Sequence, residues 1–289
     1  MPFRMASMKI WSDTEYVYRC LADKERTLAF KDAIKQAVKP GDVVLDLGTG
    51  SGVMAIFAAQ AGARKVYAVE IADYLSRTSR ENFIANGYGE TIVPLRMNAR
   101  DVGLSHVEKP AVVVCEMITT GLIGEMQGPV INSLKRSGVI DTQTLLIPSE
   151  ISTSVALASA DFNFYGTHLR FPVFINYFTK SFEHQPEILS ETKMAHTVSF
   201  SSDFSEEVHL EESLHVSKGG EVNGLLLTSQ TGFVGGAELG ACVSYCQPVI
   251  LPLKEMRVSV GDTVDVSIRY RMGEGFDSLS YQSSVTCKR

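Results

Sequence analysis

Three glycines occur within five residues of the stretch "DLGTGSGVMA", where the residue types suit ligand binding. Gly48, Gly50 and Gly52 follow the strand-like run "DVVLD" and precede "VMAIFAAQAG", which predicts a buried helix. Glycine has no Cβ, so such a loop can turn tightly and let a ligand lie against bare backbone at the helix N-terminus. The strand, loop and helix therefore predict a small-molecule site, although several folds share this device.

The residues around the glycines indicate the kind of ligand. The spacing Gly48-x-Gly50-x-Gly52 brings the third glycine one residue earlier than in the G-x-G-x-x-G loop of dinucleotide-binding folds. Asp46 stands two residues before the first glycine, where a carboxylate would repel a pyrophosphate but suits an ammonium group. Glu70 ends the next strand-like run, "KVYAVE", and a carboxylate there can accept hydrogen bonds from both ribose hydroxyls.

Asp46, the three glycines and Glu70 together resemble the S-adenosyl-L-methionine (SAM) site of seven-stranded, class I methyltransferases. The resemblance implies SAM as the cofactor, S-adenosyl-L-homocysteine as its product and no metal. The alternative is that the two carboxylates only cap strand ends, which leaves their arrangement around the glycine loop unexplained.

The third strand region, "PLRMNARDV", is expected to approach the adenine of the cofactor. Asn98 or Arg100 would lie near the edge of the base, and Met97 or Ala99 near its face. Polar residues that follow any third strand would look much the same, so an ordinary loop is an equal alternative.

The fourth strand region carries a pair of glutamates. "VVVCEMITTGLIGEM" places Glu116 at the end of a strand and Glu125 nine residues later, with a mostly uncharged loop between them. Two carboxylates are costly to bring together in a cleft unless a cation or a proton joins them. A guanidinium group would meet that need.

With "LADKERTLAF" before the glycine loop and "LLIPSE" leading into a β-rich half, the chain resembles protein arginine methyltransferases over about residues 16–150. The resemblance implies that Arg26 holds the SAM carboxylate and that Glu116 and Glu125 are the glutamates of the substrate loop. Asp23 matches an aspartate that works with a histidine of a Thr-His-Trp loop in the family.

The chain departs from this family in three places. The nearest segment to the Thr-His-Trp loop, "VSYCQPVIL", offers Ser244, Tyr245 and Cys246, so Tyr245 becomes the candidate to act with Asp23 in proton transfer. The first aromatic motif has no clear copy. The tract after residue 150 is short, and "SADFNFYGTHLRFPVFINYF" is the plausible remnant of a dimerisation arm.

The order of elements predicts two kinds of sheet. Up to about Pro148, strand-like runs alternate with helical ones, which predicts a parallel sheet flanked by helices. From Ser149 onward the runs are strand-like and joined by turn residues. We therefore expect an α/β Rossmann-like seven-stranded methyltransferase domain followed by an antiparallel β-barrel or sandwich domain. The expected divisions are a helical segment covering the cofactor site (1–39), the SAM-binding domain (40–148) and the β-rich substrate domain (149–289).

The run "DKERTLAFKDAIKQAV" predicts a helix within the first division. Leu28, Ile34 and Val38 are its candidate apolar contacts, and Pro40 and Gly41 would stop it.

Composition narrows the class of protein. The 289 residues are 45% hydrophobic, and no apolar run has the length of a signal peptide or of a membrane span, so a cytoplasmic protein is expected. Five cysteines without a C-x-x-C pair predict neither a disulfide framework nor a zinc site. Residues 149–289 hold 17 acidic and 10 basic side chains. This charge favours a cationic or neutral substrate over nucleic acid.

Three functions remain open from the sequence. The first is methylation of arginine in a protein, and the second is methylation of a small guanidino or amino compound. RNA methylation is less favoured, because the fourth strand ends in "CEMI" rather than in an Asn/Asp-Pro-Pro-aromatic motif. The third is a SAM-binding protein without catalysis. The oligomeric state is open, with a dimer as one option.

Overall fold

The computed structural model describes residues 13–175 and 186–286, and its first half is built on a parallel five-stranded sheet. The strands, in the spatial order β3-β2-β1-β4-β5, are β1 (Val43–Leu47), β2 (Lys65–Glu70), β3 (Ile92–Arg96), β4 (Val112–Cys115) and β5 (Leu145–Ile147). All five residues of β1 are buried, as in a sheet that helices cover on both faces. The Rossmann-like class is confirmed. The sheet has five strands rather than seven, because the chain enters the β-rich half directly after β5.

Helices flank this sheet and precede it. Within the described residues they are α1 (Thr14–Ala22), α2 (Lys24–Ala37), α3 (Val53–Gln60), α4 (Asp73–Ala85) and α5 (Gln127–Arg136), with short 3₁₀ turns at Ala99–Asp101, Thr120–Leu122 and Gly275–Ser278. The helix predicted after Asp23 is confirmed as α2, and Ile34 and Val38 are buried as expected. Leu28 is 43% exposed, contrary to expectation. Phe30, one helical turn before Ile34, fills the core instead.

The glycine loop joins β1 to α3 in the way the sequence predicts. Gly48, Gly50 and Gly52 have φ angles of 72°, 52° and 87°, in the left-handed region that favours glycine. The backbone N–H groups of Gly48 and Thr49 donate to the Val69 carbonyl at 2.9 and 3.0 Å. The loop is therefore fastened to the end of β2.

The second half consists of antiparallel sheets. Its strands are β6 (Glu150–Ser159), β7 (Asn163–Phe164), β8 (Thr167–His168), β9 (Val173–Phe174), β10 (Glu187–Ile188), β11 (Lys193–Ser199), β12 (Glu207–His215), β13 (Gly220–Gly232), β14 (Glu238–Leu239), β15 (Val249–Val258), β16 (Thr263–Arg271) and β17 (Ser280–Thr286). The largest sheet has the order β10-β6-β13-β15-β9, with β11 beside β6 and β14 beside β13. A second sheet has the order β12-β16-β17. These sheets confirm the predicted β-rich class.

The two halves share one continuous apolar core. The 3₁₀ turn that begins at Thr120 is also held by the β-rich half through polar contacts. Thr120 Oγ1 donates to the Gln247 carbonyl at 2.6 Å. Ser229 Oγ accepts from Gly121 N at 2.9 Å, and the Tyr270 hydroxyl donates to the Gly121 carbonyl at 2.6 Å. The loop between the two glutamates is therefore anchored on the second half.

The sequence analysis expects the first sheet to end and the β-rich half to begin at residues 148 and 149. In the structure the parallel sheet ends at Ile147 and the antiparallel sheet begins at Glu150. The segment compared with a dimerisation arm, residues 159–178, forms the β7–β8 hairpin and β9 in its described part, and residues 176–178 lie outside the described residues. No helix among residues 13–175 and 186–286 has the length and apolar character needed to cross a bilayer.

Candidate active site

A cleft lies at the carboxyl ends of the parallel strands and is bordered by α1 and α2. Ligands of open α/β sheets bind at this edge. Predicted site residues from five parts of the chain meet there. The cleft is lined by Arg26, Asp46, Gly48, Gly50, Glu70, Asn98, Ala99, Arg100, Glu116 and Glu125.

Asp46 and Glu70 lie beside the glycine loop, and both are buried. The Thr49 hydroxyl donates to Asp46, while Glu70 accepts from Gly50 N at 3.0 Å and from Ala72 N at 2.8 Å. Burial raises the pKa of Asp46 to about 7 despite the Thr49 hydrogen bond, and the nearby Glu70 carboxylate adds to this rise. Burial also raises the pKa of Glu70.

Gly52 does not line the cleft. A Cβ at Gly52 would lie 2.5 Å from Cε1 of Phe83 and 3.3 Å from Cβ of Ser79, both on α4. The glycine at this position is therefore required by the close packing of α4 against the loop. The cofactor contact expected of Gly52 stays a prediction.

Arg26 links three parts of the cleft. Its Nη1 donates to the Cys20 carbonyl of α1 at 3.0 Å, and its Nη2 forms an ion pair with Glu116. Its Nε is buried without a hydrogen-bond partner. Because buried polar groups are nearly always paired, this N–H needs an acceptor that a ligand would bring.

The two glutamates face the same cleft in different electrostatic states. Glu116 is paired with Arg26, and the side chains of this pair are only 11% and 7% exposed. Glu125 is 5% exposed, and its Oε2 is buried without a hydrogen-bond partner. Burial raises the pKa of Glu125 to about 8, although Arg26 opposes the rise. A cationic donor group would satisfy Glu125.

The turn after β3 also reaches the cleft. Met97, Asn98, Ala99 and Arg100 all line it. The Asn98 side chain accepts from Arg100 N at 3.0 Å, so it caps the 3₁₀ turn that begins at Ala99. The expected adenine contacts remain a prediction.

The predicted pairing of Asp23 with Tyr245 is wrong. Asp23 accepts hydrogen bonds from Ser244, at 2.7 Å from the backbone N and 2.9 Å from Oγ. The Tyr245 side chain is fully buried, and its hydroxyl donates to Thr231 Oγ1 at 3.1 Å. Its ring packs edge-on against Phe30. Neither Asp23 nor Tyr245 lines the cleft.

Three cleft residues escaped the sequence analysis as site residues. Tyr16 and Cys20, one turn apart on α1, both line the cleft, and Thr49 contacts Asp46. Burial and the neighbouring Glu125 carboxylate raise the pKa of Tyr16. The i, i+4 spacing of Tyr16 and Cys20 ahead of Arg26 is the signal that was available.

Comparisons with known proteins find relatives of this chain among methyltransferases. The family model described as ribosomal protein L11 methyltransferase (PrmA) matches residues 26–159. An uncharacterized protein of Methanocaldococcus jannaschii is 30% identical over 265 residues, covering 92% of this chain and 95% of that protein. Protein arginine N-methyltransferase 9 of Xenopus laevis is 35% identical over 118 residues, which is 40% of this chain and 14% of that protein.

Two further comparisons concern a relative named for arginine methylation and a solved structure of similar fold. An arginine N(omega)-methyltransferase of Streptomyces achromogenes is 31% identical over 150 residues, covering 50% of this chain and 40% of that protein. The chain thus spans less than half the length of either relative named for arginine. A Trypanosoma brucei PRMT1 enzyme-prozyme complex with AdoHcy has a TM-score of 0.72 at 18% identity and covers 94% of this chain and 97% of that one. The chain is a protein arginine methyltransferase-like, class I SAM-dependent methyltransferase.

The cleft of this methyltransferase fits SAM, its cofactor. The unpartnered Nε of Arg26 suits the carboxylate of SAM, Asp46 suits its ammonium group, and Glu70 suits its ribose. These individual roles are predictions. Among the described residues, no three His, Cys, Asp or Glu side chains come together in a way that could hold a metal ion.

Proposed function

We propose that this methyltransferase transfers a methyl group to a terminal guanidinium nitrogen of arginine in a protein. The observation that carries the proposal is the pair of Glu116 and Glu125 on the cofactor cleft, with one buried Glu125 oxygen lacking a hydrogen-bond partner. A guanidinium presents five N–H donors in a planar fork that matches carboxylates. The relatives named for arginine methylation support the same acceptor.

The two glutamates would activate a poor nucleophile. The charge of arginine is delocalised, and its pKa exceeds about 12. SAM supplies a sulfonium methyl whose transfer leaves a neutral thioether. Glu116 and Glu125 would hydrogen-bond the guanidinium and bias its charge away from one terminal nitrogen. Holding that nitrogen in line contributes up to about 7 to 11 kcal/mol.

Glu125 is the better proton acceptor of the two glutamates. Glu116 is already ion-paired with Arg26. Burial raises the pKa of Glu125 to about 8, so the free protein holds a proton on Glu125 at neutral pH. A guanidinium bound beside Glu125 would lower this pKa and displace that proton, and the resulting carboxylate would then accept the proton that leaves the methylated nitrogen. Asp23 is less suited to this role. Burial alone would raise its pKa, but hydrogen bonds from Ser244, Cys242 and Arg26 lower it below the ordinary value.

The test is incubation of the protein with methyl-labelled SAM and a lysate of its own host, followed by size separation and acid hydrolysis. We expect labelled methylarginine in the macromolecular fraction. Glu125→Gln should lower its formation by about 100-fold or more, because a general base contributes on this scale. Glu108→Gln is the matched control, since Glu108 is exposed and pairs with Arg64 and Lys65 away from the cleft.

A small guanidino compound is the second candidate acceptor. The Streptomyces relative, whose name specifies arginine rather than a protein, favours it. Label confined to small molecules in the same experiment would replace the protein proposal with this one. No label despite measurable S-adenosyl-L-homocysteine binding would contradict both and leave a SAM-binding protein without turnover.

A further inference from the structure

The carboxylate of Asp23 joins the two halves of the molecule. Its Oδ1 accepts from Arg26 N at 3.3 Å, which caps the first turn of α2. Its Oδ2 accepts from the backbone N and the hydroxyl of Ser244 at 2.7 and 2.9 Å. Asp23 is buried and also interacts with the Cys242 thiol, so few positions of this carboxylate satisfy its donors. The first turn of α2 is therefore fixed to the β-rich half at Ser244.

Arg26 lies on this fixed turn, three residues after Asp23. Its Nη1 donates to the Cys20 carbonyl, and its Nη2 pairs with Glu116. Because the guanidinium group is planar and rigid, these two contacts also fix the direction of the Nε–H bond. A shift in the start of α2 would move all three nitrogen atoms together. The placement of Nε thus depends on what holds Asp23.

The turn that carries Ser244 is itself well held. Cys242 N donates to the Tyr245 carbonyl at 3.0 Å, which closes the turn. Two residues after Tyr245, the Gln247 carbonyl accepts a hydrogen bond at 2.6 Å from Thr120 Oγ1, in the loop between the two glutamates. One short segment of the β-rich half therefore contacts both Asp23 and the glutamate loop, and Ser244 makes the first of these contacts.

We propose that Ser244 is a positioning residue for the cofactor. Through Asp23 it sets the first turn of α2, and through that turn it aims the Arg26 guanidinium at the carboxylate of SAM. The proposal rests on the assignment of Arg26 to that carboxylate and not on the identity of the methyl acceptor.

The test compares two ligands by isothermal titration calorimetry. S-adenosyl-L-homocysteine has the amino acid end that Arg26 would hold, whereas 5′-methylthioadenosine lacks it. Ser244→Ala keeps the backbone donor but removes the hydroxyl donor. We expect binding of S-adenosyl-L-homocysteine to weaken by about tenfold, the scale of one hydrogen bond to a charged group, with 5′-methylthioadenosine unchanged. Ser244→Thr, which keeps a hydroxyl, should restore most of the loss.

Two reference variants complete the design. Ser190→Ala removes the hydroxyl of a buried serine elsewhere in the β-rich half, which bonds Leu157 N and the Glu191 carbonyl, and should leave the ratio of the two affinities unchanged. Arg26→Lys should weaken S-adenosyl-L-homocysteine selectively. Equal weakening of both ligands, or of neither, by Ser244→Ala would overturn the role of Ser244. An unchanged ratio in Arg26→Lys would overturn the assignment of Arg26 and the proposal with it, while leaving the methyl acceptor untouched.

Discussion

At the scale of single residues, the cleft gathers carboxyl groups whose proton affinities differ because their surroundings differ. Burial raises the pKa of Asp46 to about 7 and that of Glu125 to about 8. Asp23 is also buried but accepts several hydrogen bonds, and its pKa falls below the ordinary value. The carboxyl groups of Asp46 and Glu125 thus receive too few hydrogen bonds from the protein to stay ionised. A ligand with cationic groups would supply the missing donors.

Binding of S-adenosyl-L-homocysteine should therefore depend on pH through Asp46. Below pH 7 the free protein holds a proton on Asp46, and this proton must leave before the carboxylate can pair with the ligand ammonium group. The dissociation constant should fall about tenfold for each unit that the pH rises toward 7, and level off above it. Calorimetry near pH 6 in buffers of different ionisation enthalpy should show about one proton released per ligand bound.

Asp46→Asn is the control for this pH dependence. The amide cannot titrate, so the variant should bind more weakly at pH 8 and show little change with pH. Glu70 and Glu125 also line the cleft and have raised pKa values, so proton release that persists in Asp46→Asn would assign the effect to one of these two glutamates. The absence of any proton release in the natural protein near pH 6 would contradict the prediction.

At the scale of elements, the local sequence pattern predicts the turns and secondary structure that depend on residues near one another in the chain. The strand, glycine loop and helix at Gly48 were predictable because turn chemistry and apolar periodicity act over a few residues. The close packing at Gly52 was not predictable, because it depends on Phe83 of another helix. The exposed side of α2 was missed for the same reason. Leu28 and Phe30 are both apolar, and only the packing of the helix shows which one enters the core.

Gly52→Ala should lower the stability of the fold and not only the affinity for the cofactor. The φ of 87° costs a residue with a Cβ about 1 to 2 kcal/mol, and overpacking a core costs about 1 to 3 kcal/mol more. We expect the free energy of unfolding, measured with urea, to fall by about 2 to 5 kcal/mol. Gly87→Ala is the matched control, since Gly87 has a φ of 81° and nothing within 4 Å of a Cβ. An equal loss in both variants would show that Phe83 accommodates the methyl group.

At the scale of the whole molecule, the site depends on contacts between distant parts of the chain. Arg26 pairs with Glu116 across 90 residues, and Asp23 pairs with Ser244 across 221 residues. The resemblance to a family predicted that Arg26, Glu116 and Asp23 would share a site. It misplaced the partner of Asp23, because Ser244 and Tyr245 are adjacent in sequence and only the shape of their turn decides which one faces Asp23.

The β-rich half should hold the glutamate loop in its active shape, and Tyr270→Phe tests this. The Tyr270 hydroxyl donates to the carbonyl of the buried residue Gly121, and leaving that oxygen unpaired costs about 1 to 3 kcal/mol. Hydrogen exchange in the 119–124 backbone should therefore quicken by about tenfold, and label transfer should fall, while S-adenosyl-L-homocysteine affinity stays constant. Tyr281→Phe, which loses a bond to the Pro252 carbonyl within the same half, should leave both exchange and transfer unchanged. If Tyr270→Phe speeds exchange but leaves transfer intact, the anchor is structural, and the position of Glu125 does not depend on it.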